Sequence, residues 1–314
     1  MRRRSLLATG AAALVASLLP NRGVAANQLI CPPLRPGARL RAVNPGTWLD
    51  PDNDLSALIS SCEAEGWQLE VPASVKGQWR YFSGSDADRL ADLRAAWADP
   101  DLDGLVYVGA GWGGARVLEQ GWRFPRRPLW TLGFSDTSSL LLAQWAAGLP
   151  GAIHGSTVPA DDDQWSRTVD LLSGRAVAPL QGRGCRHGAG VGPLVVTNLT
   201  VATHLIGTGF LPDLRGAILV LEDVGEAPYR VDRMLTSGDP PVCCVTSLVW
   251  PADVSAGAVK SSREISQWLK FWKIAWATWV VRLCSIFPSA MVDPTWLCHW
   301  GIGHVWTAAT ECSP

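Results

Sequence analysis

The sequence predicts an α/β protein, with a parallel sheet covered by helices on both faces and a smaller second unit behind it. Two observations predict this. Between residues 36 and 147, short apolar runs alternate with segments of helical spacing, at intervals that suit β-α-β crossovers. After a Gly-rich stretch at 182–192 the apolar pattern restarts, at 200–206 and again at 217–221.

The elements follow in order. Arg39 to Val43 alternates and runs into Asn44-Pro45-Gly46, a strand entering a turn. Leu55 to Glu65 has helical spacing, and Trp67 to Val71 reads as the next strand. Asp86 to Trp97 is an amphipathic helix with Leu90, Leu93 and Trp97 on one face. Gly104 to Val108 is a short buried strand that ends at Gly109-Ala110-Gly111-Trp112-Gly113-Gly114. A helix begins over Arg116 to Gln120, a strand covers Pro128 to Leu132, and a helix covers Thr137 to Ala147. Asp161 to Leu172 reads as a connecting helix.

The 314 residues suffice for two domains of ordinary size. A net charge of -1 gives no global field toward nucleic acid or an anionic membrane. At the N-terminus, Arg2-Arg3-Arg4, the apolar run Leu6 to Leu19 and Val24-Ala25-Ala26 read as an export signal cleaved after Ala26. Arg3-Arg4-Ser5-Leu6-Leu7 is similar to a twin-arginine signal, which carries folded proteins. The expected address is the periplasm, with the cytoplasm as the alternative. The apolar run is short for a stable membrane span. Cys31, Cys62 and Cys185 are far apart, and the other five Cys lie beyond residue 240. Without CxxC or Cys/His ligand spacing in the body, neither a metal nor any other cofactor is expected.

Three segments carry chemistry. Ser135, in Leu132-Gly133-Phe134-Ser135-Asp136, stands between a strand and a helix. There it is either a nucleophile on a tight elbow or, with Asp136, an N-cap of the helix. The glycine turn 109–114 lacks the G-x-G-x-x-G spacing of a dinucleotide site. Taken alone, its glycines read as close packing of backbone. The third segment, Leu221-Glu222-Asp223-Val224-Gly225-Glu226, puts acids directly behind an apolar strand. Asp223 and Glu226 are expected to pair with Arg230 or Arg233 on the surface.

Together, Gly133-Phe134-Ser135-Asp136 and Leu221-Glu222-Asp223-Val224-Gly225-Glu226 resemble the LD-carboxypeptidases, serine peptidases that trim D-alanine from muramoyl tetrapeptides. The resemblance runs from about Leu34 to Leu235. It implies an N-terminal parallel-sheet (flavodoxin-like) domain and a smaller β-rich C-terminal domain. It also implies Ser135 as nucleophile and Glu222 as the acid that orients a His. The backbone N–H of Asp136, with that of Gly111 or Gly113, would hold the oxyanion. His154-Gly155-Ser156 is similar to the family's H-G-P element, with His154 read as structural. The implied partner is a peptidoglycan-derived peptide, not nucleic acid, and homodimerisation is left open. The alternatives are a hydrolase of acyl-adenylate conjugates, like the microcin C immunity proteins, and a catalytically dead muropeptide-binding or misfolded product.

The chain changes character after about Ser237. Of 17 Trp, eight lie beyond residue 238, as do Lys260, Lys270 and Lys273. The sequence organisation is therefore an export signal (1–26), an N-terminal domain (34–160), a connecting helix and linker (161–192), the start of a second domain (193–238) and an anomalous tail (239–314). The tail is explained by a change of reading frame near 237–240. When the third base of each codon is read with the first two of the next, Ala252 to Ala256 permits Gly-Arg-Phe-Ser. Phe287 to Gly301 then permits Pro-Phe-Gly-His-Gly-Gly-Pro-Asn-Leu-Ala-Leu-Pro-Leu-Gly. Met291-Val292 and Trp300-Gly301 each force Gly there, and His299-Trp300 forces Leu. The family's catalytic His lies in such a segment, so the chain as written lacks it. His304, in Gly301-Ile302-Gly303-His304, is the substitute base that remains.

Overall fold

A computed structural model describes residues 29–50, 55–109, 111–157, 162–179, 192–237, 247–248, 298–300 and 304–306. Five strands, β1 (Arg39–Val43), β2 (Gln68–Glu70), β3 (Gly104–Tyr107), β4 (Trp130–Gly133) and β5 (Ala152–His154), form one sheet in the order β2-β1-β3-β4-β5. Every pairing in it is parallel. Helices connect these strands: α1 (Ser56–Ala64), α2 (Asp86–Ala98), α3 (Gly114–Glu119) and α4 (Ser138–Ala146), with α5 (Asp162–Leu172) following β5. The expected parallel layer is present, and each of these five helices falls where the spacing placed it.

β3 shows why the sheet needs cover on both sides. All four of its residues are buried. Leu105 and Tyr107 join an apolar cluster with Leu93, Trp97 and Leu140, while Val106 joins Leu40, Leu58 and Leu132 on the opposite face. Trp97 has no exposed surface; it packs edge-on against Trp122 and Phe124 and donates its indole N–H to Tyr107 at 3.2 Å. Ser85 caps α2 by accepting from Asp88 N–H, and the Asp88 carboxylate bonds back to Ser85.

The second unit is a small parallel sheet in the order β6-β7-β8, from β6 (Leu194–Asn198), β7 (Ile218–Glu222) and β8 (Ser247–Leu248). Between them run α6 (Leu199–His204) and α7 (Pro228–Ser237). Segment 200–206, expected only as apolar, is therefore largely helix. Its N-terminus is fixed by Asn198, whose side chain accepts from Val201 N–H. Val195, Leu219 and Leu221 join the cluster that holds Trp97 and Leu140, so the two units share apolar cover.

The strands β9 (Cys298–Trp300) and β10 (His304–Trp306) pair antiparallel, with His304 opposite Trp300. The export signal, most of the linker and the rest of the tail lie outside the described residues. Among the described residues no helix is long and apolar enough to cross a membrane. Cys31 and Cys62 are free thiols pushed up to about 12 by burial.

Candidate active site

The strand order places four loops at one edge of the sheet. They follow the C-terminal ends of β1, β3, β4 and β5, where open α/β sheets present their chemistry. Ser135 begins the loop after β4, in a 3₁₀ turn over Ser135–Thr137. Its φ is 55°, a left-handed conformation that costs a non-glycine residue roughly 1 kcal/mol or more. The turn is closed by Thr137: its hydroxyl accepts from Phe134 N–H at 2.7 Å and donates to Phe134 O at 2.8 Å. Neither Ser135 nor Asp136 caps α4 with its side chain. The bend is a tight, left-handed strand-to-helix turn, with Ser135 half-buried just ahead of the helix.

Asp136 instead reaches sideways. Its Oδ2 accepts from Gly114 N–H at 2.7 Å, and the Gly113 N–H also stabilises the carboxylate. Burial pushes its pKa up to about 6, against the pull of those two N–H groups and of Arg89. Arg89 is itself buried. It donates to Gly113 O at 2.9 Å, to Pro45 O and to Gly84 O at 3.2 Å, and it pairs with Asp86. The glycine turn is thus packed against the loop after β1. Thr47 N–H donates to Gly111 O at 3.3 Å, and a Cβ added to Gly46 would sit 2.2 Å from that same oxygen. Close backbone packing is present in this turn, and its Gly114 N–H is taken by the elbow's acid.

Glu222 ends β7 and is buried. Its Oε1 lies 3.4 Å from His154 Nε2. That separation permits electrostatic attraction, yet it lacks hydrogen-bond geometry, and among the described residues neither carboxylate oxygen has a hydrogen-bond donor. His154 is in register with Gly133, two residues before Ser135, and its ring packs edge-on against Phe134. Its Nδ1 is 3.2 Å from Ser138 Oγ, with the donor set by the imidazole tautomer. Ser138 Oγ also accepts from Asn198 N–H at 3.4 Å, and Asn198 is in register with Glu222. A chain of contacts therefore connects the Ser135 elbow to Glu222 across the two units.

The acids behind β7 divide. Glu226 pairs with Arg230 at 3.3 Å, as expected. Asp223 turns inward: it is buried and accepts from Thr200 N–H at 2.9 Å and from the Thr200 hydroxyl at 2.7 Å. It anchors the start of α6, and burial raises its pKa. Trp112, exposed on the glycine turn, meets His204 of α6 edge-on at 5.6 Å. His304 is described only as backbone in β10, and its side chain lies outside the described residues.

Arg89, the Asp136 side chain and the closeness of His154 to Glu222 were not read from the sequence. Arg89 looks like one more polar residue of an amphipathic helix, and only tertiary packing makes it a buried clamp. Asn44 could have been found from Asn-Pro-Gly: its amide donates to Thr47 O and Val75 O, and its oxygen accepts from Gly46 N–H.

Comparison with known proteins gives matches over both units. Residues 41–155 match the LD-carboxypeptidase N-terminal domain, and residues 191–238 match the LD-carboxypeptidase C-terminal domain. A Synechocystis sp. protein that carries a carboxypeptidase name is 38% identical over 210 residues, 65% of this chain and 69% of that protein. The murein tetrapeptide carboxypeptidase of Pseudomonas aeruginosa is 34% identical over 200 residues, 58% of this chain and 65% of that one. The chain thus spans about two thirds of the length of these relatives. Among solved structures, the muramoyltetrapeptide carboxypeptidase from Oxalobacter formigenes superposes with a TM-score of 0.57 at 21% identity, covering 74% of this chain and 84% of that one. An MccF-like protein from Bacillus anthracis gives 0.64 at 16% identity, covering 78% and 86%. At those identities the likeness is one of fold. The domain matches and the relatives define a serine-type carboxypeptidase class. The chain belongs to the LD-carboxypeptidase family.

Proposed function

We propose that this protein is built to hydrolyse the LD-peptide bond to terminal D-alanine in peptidoglycan tetrapeptides. The observation that carries this reading is the left-handed Ser135 elbow, joined through Ser138 and His154 to a buried Glu222. Ser135 would attack the carbonyl between the diamino acid and D-alanine. The Asp136 N–H, with that of Gly111, would hold the oxyanion, since the Gly113 N–H is committed to the Asp136 carboxylate. Glu222 would orient the His that takes the serine proton. Export through the N-terminal segment would put the enzyme where peptidoglycan lies.

The catalytic His is absent from the chain as written, displaced by a change of frame near residues 237–240. The match to the C-terminal domain ends at residue 238, which agrees with this. Loss of the base lowers turnover by a factor on the order of 10⁶. The substrate assignment is tested with a frame-restored chain offered a tetrapeptide, a pentapeptide and an acyl-adenylate conjugate. The expected product is D-alanine from the tetrapeptide alone. Cleavage of the acyl-adenylate in its place would move the protein to the microcin C immunity reading.

A further inference from the structure

We infer that the Asp136 carboxylate is a positioning residue that tethers the glycine turn to the nucleophile elbow and so sets the oxyanion site. The inference rests on the serine hydrolase reading above and adds a role for a side chain whose backbone alone had one. Residue 136 follows the nucleophile directly, so its N–H is fixed by the same bend that presents Ser135. The second oxyanion donor comes from a separate loop, after β3. Two loops that must act on one oxygen need a rigid connection, because oxyanion stabilisation falls steeply when a donor moves out of hydrogen-bond range.

The structure supplies that connection on both sides of the turn. On one side the Asp136 carboxylate accepts from Gly114 N–H at 2.7 Å. On the other, buried Arg89 donates to Gly113 O at 2.9 Å. The peptide between Gly113 and Gly114 is therefore gripped at both its carbonyl and its N–H. No side chain fits there: a Cβ at Gly114 would lie 2.4 Å from Ser139 Oγ and 3.1 Å from Asp136 Oδ2, and one at Gly113 would lie 2.6 Å from Arg89. Ser139 also belongs to the tether, since its hydroxyl donates to Asp136 O at 2.7 Å.

A buried anion beside an oxyanion site would oppose catalysis if its charge stood alone. Here Gly113 and Gly114 N–H, at the head of α3, and the Arg89 guanidinium offset it, while Asp86 and Arg116 complete the charges facing Arg89. The tether and the unneutralised charge make opposite predictions for Asp136→Asn. The amide keeps the shape and can still accept one N–H, but it turns a donor toward the neighbouring N–H.

The test compares two ligands on the full chain, because binding needs no turnover. A peptidyl boronic acid in which boron replaces the carbonyl carbon of the diamino acid bonds to Ser135 Oγ and places an oxygen in the oxyanion site. The tetrapeptide itself makes only ground-state contacts. For Asp136→Asn the expected result is a loss of boronate affinity of roughly 10- to 100-fold with tetrapeptide affinity within about twofold of the parent. Equal losses for both ligands, or tighter boronate binding, would overturn the tether. A parent chain that binds no boronate, or binds it equally well as Ser135→Ala, would overturn the serine reading and the inference with it. Should Asp136→Asn fail to fold, the parent answers by NMR. The Gly114 amide proton, bonded to a carboxylate, is expected far downfield and titrating with Asp136. An amide shift unmoved between pH 4.5 and 7.5 would refute the contact.

Discussion

Ser135 holds a φ of 55° that no glycine relieves, and the surroundings enforce it: Thr137 closes the turn ahead of the serine while Ser139 and Gly114 fasten Asp136 behind it. The motif was legible in the sequence because strand, Gly-x-Ser-Asp and helix come in immediate succession. The rest of the site was not, since Arg89 and His154 act through partners far away along the chain. Asp136 gives the residue-scale prediction. Its pKa, about 6 in the folded protein, lies above the ordinary 3.8, so the folded state binds that proton more tightly than the unfolded chain does. The stability from this group is complete below about pH 3.8 and is lost as pH rises through 6. Urea midpoints of the parent should therefore fall relative to Asp136→Asn between pH 4.5 and 7. A constant difference between the two proteins would contradict the assignment. Glu222→Gln, in a frame-restored chain, should lower kcat by about 10⁴-fold with KM little changed, because the amide would favour the wrong imidazole tautomer.

At the scale of elements, the strands and helices of the first unit were readable because each is a short run with one dominant period. β6 was missed, although Leu194-Val195-Val196-Thr197 follows Pro193 and carries the β-branched residues of a strand. Asp223 was misassigned for a different reason. Sequence proximity favoured Arg230 and Arg233, whereas the register of β6 with β7 brings the start of α6 to it instead. The glycine turn is the element on which the site depends most. Gly114→Ala should cost about 1–3 kcal/mol of stability by overpacking against Ser139. It should reduce boronate binding as strongly as Asp136→Asn does. A chemical denaturation curve read beside a binding isotherm separates the two effects.

For the whole molecule, the two units share one apolar cluster and meet at His154 and Glu222, so the candidate site exists only where both are folded. Trp97→Ala, in the centre of that cluster, should destabilise by about 3–5 kcal/mol, seen as a lowered thermal midpoint. The change of character after about residue 237 is legible in composition alone, through the crowding of Trp, Cys and Lys beyond it. The placement of a serine and an acid from separate units at one edge was not, because it depends on how the second sheet docks.

In the proposed mechanism Ser135 is the attacking group and the written chain has lost the base beside Glu222. D-alanine release from a muramoyl tetrapeptide measures both at once, in the chain as written, in its frame-restored form and in that form carrying Ser135→Ala. Release by the restored chain alone, abolished by Ser135→Ala, is the predicted result. Equal release by the written and restored chains, or release that survives Ser135→Ala, would contradict it.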